Sequence, residues 1–96
     1  MQTTLHVGSG DSIRMISNAS GRYWVAKDVL QFLGVCNASE RLKDMSENDR
    51  PVMVVETPGG PQRLLCLTDA GLIRLVFSVR TPRSQHIQDW FIQRTM

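Results

Sequence analysis

The middle of the chain constrains the fold most. Val52-Met53-Val54-Val55 and Leu64-Leu65-Cys66-Leu67 are apolar runs of strand length, and the cluster Thr57-Pro58-Gly59-Gly60-Pro61 between them forbids a continuous helix. Two strands joined by a long hairpin loop are expected there, so the fold must contain antiparallel sheet. With 96 residues and 42% apolar side chains, the chain suffices for one core and leaves no room for a second.

The flanks read differently. Ser12 to Ser17 alternates imperfectly, Asn18 to Arg22 is a turn, and Tyr23 to Val25 is a short strand, which makes a second hairpin. Residues 1–10 end in Gly8-Ser9-Gly10 and read as a flexible lead-in to a domain spanning 11–96. A strand follows these glycines, which argues against a phosphate-cradling loop, since that needs a helix behind it. Ala26 to Leu33 places Val29, Leu30 and Leu33 on one helical stripe that Gly34 closes. Asn37-Ala38-Ser39-Glu40 has the form of a capping box opening a short helix to Lys43 or Met45.

Thr68 is a good N-cap for a helix from Asp69 to about Val79, with Asp69 at its positive end. Gly71 in that first turn costs ~1 kcal/mol relative to Ala, which points to a close neighbour. Thr81-Pro82 opens a last helix carrying Ile87, Trp90, Phe91 and Arg94 on one stripe. Trp24 and Trp90, each among apolar neighbours, read as core. The expected fold is α+β: a small antiparallel sheet built from hairpins and packed against about four helices.

Chemistry finds little support. The histidines, His6 and His86, stand in the lead-in and on the polar side of an arginine-rich helix, with no nucleophile, base and orienting group in a recognisable pattern. Cys36 and Cys66 lack metal-ligand spacing and read as reduced, buried small hydrophobes. No cofactor, metal or enzymatic activity is expected. No apolar run approaches the ~20 residues that cross a bilayer, and Met1-Gln2-Thr3-Thr4 has no secretory character, so a cytoplasmic, host-cell-interior location is expected.

The net charge is only +2, but nine of the eleven basic residues are arginine and their distribution is uneven. Residues 70–96 hold Arg74, Arg80, Arg83 and Arg94 against Asp89 alone, whereas residues 40–69 lean acidic. One positive face can therefore exist on a nearly neutral chain. Arg74, Arg80 and Arg83 gather at a helix junction, where the free amides behind Pro82 add a positive end suited to a phosphate oxygen. The helix pair 26–33 and 38–45 has helix-turn-helix proportions that present Ser39, Arg41 and Lys43. Its acidic neighbours and Leu30, standing where a small residue is usual, favour an ordinary core-packing pair. The segment Thr57 to Gln62 before Arg63 reads as an exposed turn more readily than as a groove-inserting ribbon.

A set of anchors runs through these elements in fixed order: Tyr23-Trp24-Val25-Ala26-Lys27-Asp28-Val29, Leu33-Gly34, Gln62, Thr68-Asp69-Ala70-Gly71-Leu72, Leu75, Pro82 and Trp90. Together they resemble the Bro-N domain, the amino-terminal module of phage antirepressors and baculovirus repeated-open-reading-frame proteins, over roughly residues 12 to 94. The chain departs from that pattern where Thr68-Asp69-Ala70 replaces Asn-Glu-Ser and Ile73 replaces Tyr. The resemblance implies the DNA-binding domain of a phage or prophage antirepressor-like transcription regulator, acting on double-stranded DNA, with a carboxy-terminal domain following. The contacts expected first are Arg80 and Arg83, then Arg74, Arg63, Lys27, Arg41 and Lys43. About four phosphate contacts bind weakly at physiological salt, so a homodimer or a longer protein is expected. The alternative is a protein-interaction module that sequesters a phage repressor through the surface around Met45 to Val52.

Overall fold

The chain folds in two blocks of strand followed by helix. A computed structural model describes residues 1–7, 11–35, 38–79 and 82–95, the side chains of 5–7, 11, 38, 39, 82, 83, 86, 91, 94 and 95 excepted. Strands β1 (Gln2–Val7), β2 (Asp11–Asn18) and β3 (Gly21–Val25) lead into helices α1 (Ala26–Leu33) and α2 (Ala38–Lys43). A 3-10 turn (Glu47–Asp49) precedes β4 (Val52–Thr57) and β5 (Gly60–Thr68), and α3 (Asp69–Ser78) and α4 (Pro82–Thr95) complete the chain. All strand pairs are antiparallel in one sheet of order β1-β2-β3-β5-β4. The expected α+β architecture is thus the observed one.

The first segment differs from the expected flexible lead-in. Gln2–Val7 pairs with β2 from Gln2↔Ile16 to Val7↔Asp11, and Ser17 N donates to Met1 O at 2.7 Å. Thr3, Thr4 and Val7 are β-branched residues that suit a pleated surface. Gly8-Ser9-Gly10 lies outside the described residues.

The central hairpin also differs, being tight where a long loop was expected. Thr57 stands directly opposite Gly60, so only Pro58 and Gly59 turn the chain. Pro58 supplies a fixed φ, Gly60 takes φ 102°, and Thr57 Oγ1 donates to Gly60 O at 2.7 Å. The strands therefore run further into the Pro/Gly cluster than composition predicts. Pro61 can sit in β5 because the β3 pairing starts only at Cys66, leaving that side of the strand open.

Pleat alternation divides the apolar residues between the two faces of the sheet. One face presents Ile13, Trp24 and Leu67 to Val29, Leu33, Leu72, Leu75, Val76 and Ile87 of the helices, all buried. The other collects Val25, Val55 and Cys66, packed by Ile16, Tyr23, Met53 and Leu64. Trp24 meets Trp90 edge-on, with ring centroids 5.3 Å apart at 88°, so both tryptophans are core as expected. The sheet curls until its two edges touch. Gln2 of β1 donates its side-chain amide to Glu56 O of β4 at 3.0 Å and accepts from Glu56 N at 2.9 Å.

Helix boundaries follow their local signals. Gly34 closes α1 in the left-handed region at φ 71°. Thr68 Oγ1 accepts from Gly71 N at 3.0 Å, capping α3. The close neighbour expected at Gly71 is the Asp49 backbone: a β-carbon there would land on the Asp49 carbonyl oxygen. Asn37, the first residue of the expected capping box, lies outside the described residues.

Candidate nucleic-acid interface

Several arginines are spent on holding the fold, and separating them from the rest defines the candidate surface. Arg14 on β2 grips Asp28 in the first turn of α1, through Nε at 2.8 Å, Nη2 at 3.0 Å and its own backbone N–H at 3.0 Å. Burial alone would raise the Asp28 pKa, but the hydrogen bonds from Arg14 outweigh it and hold the carboxyl below its ordinary range. The same hydrogen bond raises the Arg14 pKa against the opposing effect of burial.

Arg22 forms a second node at the start of α3. Its Nε and Nη2 lie 3.1 and 2.7 Å from Asp69 Oδ2, while Trp24 Nε1 donates to Asp69 Oδ1 at 2.8 Å. The guanidinium also lies 5.9 Å from the Trp24 ring centroid and 5.4 Å from that of Trp90. Asp69 thus favours the helix end, as expected, and also joins β3 to α3. Sequence reasoning assigned Arg14 and Arg22 no role. The available signal was an aspartate in the first turn of a helix that directly follows a strand, repeated at Asp28 and Asp69.

The expected contact residues separate into three groups. Arg74 on α3 donates to Asp49 Oδ2 at 2.6 Å, yet its side chain stays 68% exposed, so much of the guanidinium still faces solvent. Arg41 on α2 donates through Nη1 to Ser78 O at 3.2 Å. Arg41 therefore reaches the carboxy-terminal end of α3, the helix that also carries Arg74. Lys43, exposed in the last turn of α2, follows two residues after Arg41. These three cations come from the α2–α3 region, but exposed Glu40, Asp44 and Glu47 share it.

Lys27 and Arg63 form the second group, and both are exposed. Lys27 lies on the rim of an apolar groove of about 490 Å³ formed by Leu30, Val35, Leu42, Leu64 and Leu65. Arg63 directly precedes Leu64 and stands opposite Val54 in the β4–β5 hairpin. The third group lies beyond the description: Arg80 is outside the described residues, and of Arg83 only its place in the first turn of α4 is described. Pro82 does open α4, as expected.

Leu30 is buried and Leu42 packs against the core, so α1 and α2 are the core-packing pair that the sequence favoured. Cys66 is buried and free, and burial pushes its thiol up to about 11; Cys36 and the side chains of His6 and His86 lie outside the described residues. Among the described residues no group of three metal-binding side chains gathers, and no helix is long and apolar enough to cross a membrane. In comparison with known proteins, the family model described as BRO family, N-terminal domain, matches residues 12–95. No curated protein and no solved structure matches the chain.

Proposed function

The chain belongs to the BRO family N-terminal domains, and from that premise we propose that it is the duplex-DNA-binding module of a phage antirepressor-like transcription regulator, acting by binding and not by chemistry. The observation that carries this reading is the family match, which begins within β2 and runs through β3, β4, β5 and all four α-helices. The α2–α3 flank supports it. Arg41 and Arg74 are fixed by single anchoring bonds with nitrogens left over, which suits contact with phosphate oxygens. We propose Lys43, Arg80 and Arg83 as further contacts, with Arg63 and Lys27 as outlying ones.

Affinity for random and operator-like duplexes, measured across salt concentrations, tests the proposal. About four phosphate contacts should give a slope of log K against log salt of roughly −3.6, and each contact removed should make it shallower by about one. Arg80→Ala with Arg83→Ala is expected to cost the most affinity. Binding indifferent to salt rules out the DNA reading. Retention of a phage repressor by the same double variant, with duplex affinity lost only there, separates DNA binding from repressor sequestration.

A further inference from the structure

The outer face of helix α3 is unlike an ordinary solvated surface. Gly71, Leu72, Leu75 and Val76 are buried. Ala70, Ile73, Arg74, Phe77 and Ser78 are exposed, at the i, i+3, i+4, i+7, i+8 spacing of one helical stripe. Phe77 is 63% exposed and Ile73 38%, and these two side chains are neighbours one turn apart. A helix face turned to water normally carries charged residues, yet between Ala70 and Val79 the only charged residue is Arg74. The carboxylate at the start of the helix, Asp69, is held by Arg22 and Trp24. Arg41 brings a second guanidinium to the other end, with Nη1 on the carbonyl of Ser78, the residue after Phe77.

Such a stripe is complementary to a partner that offers apolar groups framed by negative charge. The major groove of duplex DNA has that chemistry. The C5-methyl of thymine is the apolar group on its base edges, the phosphates run along both walls, and the groove admits one α-helix. At ten residues, α3 is about 15 Å long, enough to set Ile73 and Phe77 against successive base pairs. The two arginines cannot supply sequence preference through phosphate, because phosphate contacts fix position and carry no sequence information. Apolar side chains against thymine methyls do supply it.

We propose that α3 is the base-reading helix of the module, with Ile73 and Phe77 against thymine methyl groups in the major groove and Arg74 and Arg41 on the phosphates beside them. The inference rests on the duplex-binding reading above and adds to it the element that reads sequence and the base it favours.

A double-mutant cycle between protein and DNA is the test. A duplex is recovered from a random pool by binding to the full chain, then remade with uracil in place of thymine, which removes only the methyl groups. The unaltered chain should bind the uracil duplex about tenfold more weakly. Phe77→Ala should bind the thymine duplex about tenfold more weakly and lose almost nothing further with uracil. Its salt dependence should match that of the unaltered chain, whereas Arg74→Ala should make the slope shallower by about one. The melting temperature of Phe77→Ala should hold, because the ring is exposed, and Ile73→Ala repeats the cycle should it fall. Equal sensitivity to uracil in the unaltered chain and in both variants overturns the proposal while duplex binding stands. Full duplex affinity in Phe77→Ala with loss of phage-repressor retention also overturns it, making the stripe a protein-docking face. A chain that binds no duplex at any salt concentration removes the DNA reading and this inference together.

Discussion

At the scale of single residues, Gly71 and Asp28 show how much of the structure hangs on particular atoms. Gly71 has no space for a β-carbon because the backbone of Asp49 occupies it, and backbone cannot swing aside as a side chain can. Gly71→Ala gains helix propensity but forces α3 away from the 3-10 turn, so a net loss of roughly 1–3 kcal/mol is expected in denaturant unfolding. Asp28 responds to pH. Its folded pKa lies below the value of about 3.9 typical of an unfolded aspartate, so its contribution is fully present above that value and is lost as pH falls through the folded pKa. Thermal melts from neutral pH downward should show that loss in the acid range, and Asp28→Asn should be less stable at neutral pH and flatter in acid. Cys66 gives a third check. With its thiol pushed up to about 11 and buried, it should react slowly with a thiol reagent at neutral pH and at an ordinary rate once the chain is unfolded.

At the scale of elements, local chemistry was legible where one residue decides the outcome. Gly34 ends α1, Thr68 starts α3 and Pro82 opens α4, each through a conformation or hydrogen bond that its own residue type prefers. What resisted reading depends on partners distant in sequence. Strand β1 exists because β2 is there to pair with it, and the hairpin is tight because register with β5 holds Thr57 against Gly60. The candidate site was legible in part for the same reason. Arg74 looks like a free cation in sequence and meets Asp49 only because α3 packs on the 3-10 turn, 25 residues away in sequence. Arg14 and Arg22 look interchangeable with it in composition, yet the fold brings them to Asp28 and Asp69, 14 and 47 residues away.

At the scale of the whole molecule, the two sheet edges are tied by one side chain. Gln2 and Glu56 are 54 residues apart in sequence, and the amide of Gln2 reproduces the paired donor and acceptor of a neighbouring strand. That contact encloses the small second cluster of Val25, Val55 and Cys66 on the face away from the helices. Gln2→Ala removes both hydrogen bonds and leaves the outward groups of Glu56 to solvent. Amide hydrogen exchange should then quicken at Glu56, whereas Gly71, held by the Thr68 cap on the helical side, should keep its protection. Acceleration at both amides would mean that the two faces open as one unit. Acceleration at Glu56 alone would locate the weakest closure of the fold at the junction of β1 with β4, beside the valines left exposed on that edge.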